Sequence, residues 1–250
     1  MDADIVVVGG GPIGCHTARL LSRRFDVLVV EEHREVGRPV QCTGLVSPQV
    51  LELADVRPRA INSLKGAAIH FPGGCELRIA SNETKGVVID RGEFDRLICA
   101  KAKDAGASFI MEARAEDVQR TDGGVICTLN DGRKLTSELL VGADGHRSAI
   151  ADMIGAGAPK EYVYGIQMDI VHSMEEQSIV DIHVGNAIAP GFFAWCIPCG
   201  DFTRVGLCVS EGQGAPNGYL RGYLEMLGLE RADGDAPGAV SYTHLRAHET

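Results

Sequence analysis

Apolar residues follow two rhythms along this chain, and each run of them names an element. Ile5 to Val8 is a short unbroken stretch of β-branched residues, the pattern of a strand buried on both faces of a parallel sheet. After a glycine turn, Ala18, Leu21 and Phe25 recur at helical spacing behind Pro12, which suits a first helical turn, and Val27 to Val30 supply a second strand. Together they predict a βαβ unit of the expected length, about 30 residues. From Val36 to about Leu64 the rhythm is lost among Gly and Pro, with one helix predicted over Pro48 to Ala54; a connection that long is usually functional. Ala67 to Phe71 and Glu76 to Ile79 predict a hairpin around Pro72, Gly73 and Gly74.

"VVIDRGEFDRLICAKAKDAGA" then reads as a strand followed by a helix with Phe94, Leu97, Ile98 and Ala102 on one side. "AEDVQRTDGGVICTLNDGRKLTSELLVGADG" predicts three or four strands parted by "TDGG" and "NDGR" turns and ending on Leu139 to Val141. Beyond Gly157, alternation in "YGIQMDIV", "SIVDIHVG" and "FTRVGLCVS" predicts a second, antiparallel region. No internal repeat or low-complexity segment interrupts this order.

Composition narrows the classes. The 250 residues, 45% hydrophobic, suffice for one large α/β domain or two small ones. A net charge of -10 without any run of Lys or Arg argues against a nucleic-acid groove or a polybasic membrane patch. "MDAD" leads straight into the first strand without a basic leader or long apolar stretch, so a cytoplasmic protein is expected. That compartment keeps thiols reduced, and the eight cysteines are expected as small hydrophobes or chemical groups rather than a disulfide framework. The tail "VSYTHLRAHET", residues 240 to 250, resembles the read-through translation of a sequencing adapter, and the natural chain is expected to continue beyond about Ala239.

Three motifs carry chemistry. In "GGGPIG", Gly9 allows a tight turn, Gly11 the close approach of a pyrophosphate to the helix N-terminus, and Gly14 close helix packing; Ile13 lies in the same turn. Glu31, directly after the second strand, is placed to accept hydrogen bonds from an adenosine ribose, with Glu32 the competing carboxylate. The turn, its helix and this acid together predict a dinucleotide site. The second motif, "LLVGADGHRS", taken alone is a turn in which Asp144 and Gly145 end a strand. The third, "APGFFAWCIPCGDFTRVGLCV", gathers Phe192, Phe193 and Trp195, which read equally as ordinary core or as the wall of an apolar channel.

With "DRGEFDRLICAKAKDAGA" between the first two motifs, the chain resembles the flavoprotein fold shared by aromatic hydroxylases, flavin halogenases and geranylgeranyl reductases. The resemblance covers roughly Ala3 to Gly228. It implies an α/β fold, a Rossmann-like three-layer FAD-binding domain with an inserted antiparallel β-sheet substrate domain. In it Arg91, otherwise a solvated charge at a helix start, contacts FAD, backbone groups at Ala115 hold the adenine, and Asp144 sits at the phosphate side. Pro190, Gly191, Phe193, Trp195 and Pro198 come close to the geranylgeranyl reductase signature Pro-x-x-Tyr-x-Trp-x-Phe-Pro, with Phe193 for Tyr and Ile197 for Phe. They also approach the Trp-x-Trp-x-Ile-Pro of flavin halogenases. Gly37, Pro39, Cys42 and Gly44 resemble the Gly-x-Pro-x-x-Cys loop of the archaeal prenyl-lipid reductases, and the halogenase lysine motif is not found.

The resemblance implies that this loop sets the Cys42 thiol and the Thr43 and Gly44 backbone against the isoalloxazine, with Cys42 the catalytic candidate; otherwise Cys42 fills a small pocket. It assigns residues 1–157 to the FAD domain, with a hairpin at 60–85 reaching the substrate region, and 158–239 to the substrate domain. The implied activity is saturation of geranylgeranyl or other isoprenoid double bonds in ether-lipid biosynthesis, with Phe193 and Trp195 at the substrate and ferredoxin or NAD(P)H as electron donor. A peripheral membrane contact follows for a phospholipid substrate. The rivals are an oxygen-using monooxygenase or halogenase of the same fold and a non-catalytic flavin- or lipid-binding module. Cys196 and Cys199 form a single CxxC, too few ligands for zinc, and the eight histidines are scattered, so no metal is expected.

Overall fold

A computed structural model describes residues 1–157 and 159–229 and the backbone of 238–242. In chain order the elements are β1 (Ile5–Val8), α1 (Pro12–Leu21), β2 (Val27–Val30), β3 (Leu45–Val46), α2 (Pro48–Ala54), β4 (Ala60–Leu64), β5 (Gly66–His70), β6 (Glu76–Ala80), β7 (Gly86–Ile89), α3 (Arg91–Asp104) and β8 (Ser108–Ile110). They continue with β9 (Ala115–Thr121), β10 (Gly124–Leu129), β11 (Lys134–Ser137), β12 (Leu139–Gly142), α4 (Ala149–Met153), β13 (Val163–Ile170), β14 (Ile179–Val184), β15 (Phe193–Pro198), β16 (Thr203–Ser210), α5 (Pro216–Leu227) and β17 (Gly238–Tyr242). The chain divides into two compact units, one of residues 1–40, 54–58 and 91–158, the other of 41–53, 59–90 and 159–250.

The first unit is built on a parallel sheet in the order β12-β1-β2-β8. Val6, Val8 and Val30 turn one face of it onto Ala115, Cys127, Leu129 and Leu135 of the antiparallel meander β9-β10-β11. Val7 and Val29, fully buried, point the other way, as the strand period of two demands, and α1 packs against β1 and β2 with α3 beside it. Helices, parallel sheet and meander make the three layers expected of this α/β fold. On α3 the buried residues are Gly92, Phe94, Ile98, Cys99 and Ala102, the stripe read from the sequence with Gly92 and Cys99 added and Leu97 at its margin. One helical reading needs correction: α1 stops at Leu21, and Phe25 is 45% exposed. Ser22 to Asp26 turn instead, with the Arg24 and Phe25 amides both donating to the Leu21 carbonyl.

The second unit holds a small antiparallel sheet, β3-β7-β4, and a seven-stranded sheet in the order β17-β13-β16-β15-β14-β5-β6. The larger sheet is antiparallel except between β14 and β5, which run parallel. One face buries Ile166, Met168, Ile170, Val205, Leu207 and Val209 under Leu220, Tyr223 and Leu224 of α5. On the opposite face Trp195, Ile197, Val163, Val180 and Cys208 cluster with Leu64, Val88, Leu45 and Phe193. Two elements, β4 and α5, are not among those predicted from the sequence above. β4 lies in the stretch read as irregular; "AINSL" does not alternate, and the strand exists because it pairs with β7. α5 is signalled by Pro216 in its first turn, by Leu220, Tyr223 and Leu224 at helical spacing, and by Gly228 in the left-handed region at φ 66°. Of the tail from Val240, the backbone of 238–242 pairs with β13 as the outer strand β17, and residues 243–250 lie outside the described residues.

Candidate functional site

In the first unit the chain leaves β1 into a turn whose glycines are required by contact. Gly9 has φ +105°, and a Cβ there would stand 2.3 Å from the Ala143 carbonyl oxygen and 2.9 Å from the Asp144 amide nitrogen. A Cβ on Gly14 would fall 1.9 Å from the Gly9 oxygen, which is how α1 comes down onto the turn. Gly10, which the sequence reading passed over, is needed as well, because the Glu31 carboxylate lies 2.9 Å from its missing Cβ. Gly11 differs from all three: nothing lies within 4 Å of the position its Cβ would take. It is also the N-cap of α1 and supplies no side-chain cap, so the first-turn amides keep an open approach. Ile13, 72% exposed, stands in that same turn.

Glu31 is buried while Glu32 is exposed, which separates the two carboxylates. Its Oε2 accepts the Gly10 amide at 2.6 Å, and Oε1 accepts the His33 amide at 2.9 Å and meets His33 Nδ1 at 2.6 Å. The acid thereby ties the end of β2 to the glycine turn. A carboxylate offers about four lone-pair directions, so this bonding does not exhaust it. An open glycine at an uncapped helix start, closed around by glycines that admit no side chain, with a buried acid at the end of the next strand, fits the pyrophosphate and ribose of a dinucleotide.

The other candidates of this unit are placed as follows. Arg91 opens α3 and grips Asp95 through Nε and Nη2, at 3.0 to 3.2 Å, with Phe94 5.7 Å below the guanidinium. Burial pushes the Asp95 carboxyl above its ordinary range, and the Arg91 charge works in the opposite sense. Ala115 starts β9 with its side chain in the core; the backbone bond to Glu31 comes from Ala113, two residues earlier. Asp144 takes the Ser148 hydroxyl on Oδ1 at 2.6 Å and the Ile150 amide on Oδ2 at 3.0 Å, so its side chain fastens the start of α4 while its backbone packs on Gly9.

In the second unit Cys42 lies in a loop, half-buried, without strand or helix pairing of its own. Its carbonyl accepts Gln167 Nε2 at 3.2 Å, and the next carbonyl, of Thr43, accepts Arg204 Nη1 at 2.6 Å. Gly44, at φ +76°, could carry no side chain, because a Cβ would stand 2.4 Å from the Ile89 oxygen. Gln167, Gly206 and Trp195 are direct cross-strand neighbours on β13, β16 and β15. The indole lies over Gly206, whose absent Cβ would meet Trp195 Cζ2 at 2.5 Å and Gln167 Cβ at 2.7 Å. The fold thus brings Cys42, Gln167 and Trp195 onto one sheet face. Phe193 follows with its ring edge-on to the indole at 6.2 Å and stacked on Phe192 at 4.3 Å.

Two atoms of this face, Trp195 Nε1 and Gln167 Oε1, are buried and lack a hydrogen-bond partner among the described residues. Each such atom costs about 1–3 kcal/mol, an uncommon feature for a face that is only packing. Sequence reasoning missed Gln167, Asp169, Arg204 and Gly206. The only signal was their place on the polar side of the alternation in "GIQMDI" and "FTRVGL", the side ordinarily assigned to solvent. Cys196 and Cys199 are separate buried thiols, which burial pushes up to about 12 and about 11; both stay protonated at neutral pH and act as packing groups. No group of His, Cys, Asp and Glu among the described residues is arranged to hold a metal ion.

Residues 2–205 match the model of the FAD binding domain family. The chain belongs to that family. Its cofactor is FAD, in keeping with the glycine turn and Glu31. Curated relatives include the digeranylgeranylglycerophospholipid reductases of Methanothrix thermoacetophila, 30% identical over 90% of this chain, and of Methanocaldococcus jannaschii, 27% identical over 89%. The chain spans 62% and 59% of the length of these two proteins. Among solved structures, a geranylgeranyl bacteriochlorophyll reductase-like protein from Thermoplasma acidophilum matches with TM-score 0.84 and 26% identity, over 96% of this chain and 66% of its own. A mutant of the halogenase PltM in complex with FAD, at 14% identity, matches over 90% of this chain and 56% of its own with TM-score 0.70, a likeness of fold. No helix among the described residues is long and apolar enough to cross a membrane.

Proposed function

We propose that this FAD-binding chain works in an oxidoreductase that saturates the double bonds of geranylgeranyl or related isoprenoid chains carried by ether lipids. The observation that carries the reading is the single sheet face on which the Cys42 loop, Gln167, Trp195 and Phe193 meet. The names of the relatives support it. When bound and reduced, FAD would supply the hydride for one alkene carbon while the other takes a proton, with ferredoxin or NAD(P)H as the source of the two electrons.

The protein's own tasks follow. Gly9, Gly11, Ile13 and Gly14 receive the pyrophosphate at the start of α1, and Glu31 the ribose; Arg91, Ala115 and Asp144 complete the cofactor's contacts. Cys42, with the Thr43 and Gly44 backbone, serves the reacting end of the cofactor. Phe193 and Trp195 offer the chain an apolar wall, which isolated alkenes need because they are poor acceptors and must be held in place. A phospholipid substrate would bring the protein to the membrane surface.

The test uses the protein expressed from its complete gene. It is reduced with dithionite under anaerobic conditions and mixed with a geranylgeranyl lipid, and flavin absorbance is followed together with product mass. Flavin reoxidation with mass gains of hydrogen pairs is expected, slowed by Cys42→Ala with FAD retained. Bound FAD without any mass gain sinks the reading and favours an oxygen-using enzyme.

A further inference from the structure

The loop that carries Cys42 has no ladder to define it, yet two side chains from neighbouring strands take hold of its consecutive carbonyls. Gln167 on β13 donates to the Cys42 carbonyl at 3.2 Å, and Arg204 on β16 to the Thr43 carbonyl at 2.6 Å. Arg204 is itself fixed, its Nε and Nη2 bonded to the two oxygens of Asp169 at 2.7 and 2.8 Å, and Asp169 is its direct cross-strand partner. A bidentate pair orients the guanidinium plane, which leaves Nη1 directed at the loop. Beyond the second carbonyl, Gly44 is locked: its oxygen accepts the Ile89 amide at 2.9 Å, and its amide contacts Cys42 Sγ at 3.5 Å. Peptide planes are rigid, so pinning the carbonyls of Cys42, Thr43 and Gly44 in succession fixes the Cys42 Cα and the planes that follow it, and the Gly44 amide beside Sγ restrains how the side chain turns from there.

We propose that Gln167, and Arg204 held by Asp169, are positioning residues that aim the Cys42 thiol. The inference rests on the reading of Cys42 given above and adds to it two side chains that hydrogen-bond the carbonyls of its loop. If they act by aiming the thiol, their effect on turnover passes through Cys42 rather than through the Thr43 and Gly44 backbone that the same bonds hold.

A double-mutant cycle on the full-length holoenzyme tests this, read as the anaerobic single-turnover rate with the geranylgeranyl lipid. Gln167→Leu and Arg204→Met are each expected to slow hydrogenation about tenfold or more with FAD retained, since misplacement of a reacting group by an ångström can cost that much. In the Cys42→Ala background the same changes should slow it by less than about twofold, because a group that acts only through the thiol has nothing left to aim. Arg204→Lys, which keeps a donor for the Thr43 carbonyl, should recover part of the rate. A second readout is independent of the lipid: iodoacetamide labelling of Cys42, located by peptide mass, should run faster in Gln167→Leu than in wild type as the loop loosens. Equal losses in both backgrounds, no loss at all, or an unchanged labelling rate would overturn the proposal. If the wild type hydrogenates nothing, the prenyl-reductase reading fails by itself, and the positioning role is decided by the labelling rate.

Discussion

The glycine turn of the first unit and the Cys42 loop of the second are both irregular backbone brought to one geometry, by opposite means. The turn is fixed by what its residues lack. Gly9, Gly10 and Gly14 leave no room for a Cβ, and two side chains reach in: Cys15, whose thiol donates to the Gly10 carbonyl, and Glu31 from 21 residues away. The Cys42 loop is fixed by what distant residues add: Gln167 and Arg204 lie 125 and 161 positions beyond the carbonyls they hold. The glycines stand in one short string of the sequence, although the atoms that exclude a Cβ at Gly9 and Gly10 belong to Ala143 and Glu31 and only Gly14 meets its own turn. Long-range clamping requires a correctly paired sheet before it exists at all, so damage to the sheet should reach Cys42 and leave the turn alone.

The largest expected effect comes from Trp195→Ala, which empties the space over Gly206 and should destabilise the second unit by about 3–5 kcal/mol. The urea midpoint would show it, while Trp195→Phe, which removes the unpaired Nε1 and keeps most of the ring, should cost far less. Near-wild-type stability in the alanine variant would mean that the indole does not hold this face together. Next is Gly14→Ala. Alanine normally gains about 0.5–1 kcal/mol over glycine inside a helix; here its Cβ meets the Gly9 oxygen, so the sign should reverse to a loss of about 1–3 kcal/mol together with bound flavin. A stabilised variant with full flavin content would break the contrast between the two regions.

Ser148→Ala should be milder. Ser148 is the N-cap of α4, accepting the Ala151 amide and donating to Asp144, and its loss should cost about 1 kcal/mol without displacing the turn. Calorimetry that finds no change would leave Asp144 as the sole anchor of α4. The last effect concerns acid. His183 bonds Tyr223 at 2.8 Å and stacks on His70 at 4.3 Å; burial first, then His70, lowers it from 6.5 to about 4, against the pull of Asp181. Between those pH values the unfolded chain takes up a proton that the folded chain refuses. His183 should therefore contribute its full stability above about pH 6.5 and lose it as pH falls toward 4. A slightly shallower decline of melting temperature over this window is expected for His183→Gln; parallel curves would assign the acid sensitivity elsewhere.

The sequence revealed the first unit more fully than the second for reasons that lie in the physics of each. β1, β2 and α3 announce themselves by composition and period, and the spacing of Gly9, Gly11 and Gly14 carries a steric requirement that holds wherever the motif stands. Cys42 could be singled out as a thiol without an apolar face to bury, yet nothing near it names Gln167 or Arg204. Those two sit where alternation assigns solvent, and they are covered because another strand's Trp195 and a loop far back in the chain fold over them. β4 was invisible for the same reason, since its partner β7 rather than its own sequence makes it a strand. Phe25 misled in the opposite way, by continuing a helical spacing after the helix had ended.

The lone parallel pair in the seven-stranded sheet sets a schedule for the chain as it is made. β5 and β6 can close as a hairpin once residue 80 has been made, but β5's other neighbour, β14, ends at Val184. At about 5–20 residues per second, the ribosome leaves that hairpin edge without its partner for on the order of ten seconds. During that interval Gly66 to His70 present unpaired amides and carbonyls to whatever else is nearby, so the join that completes the sheet is also its most exposed stage of manufacture.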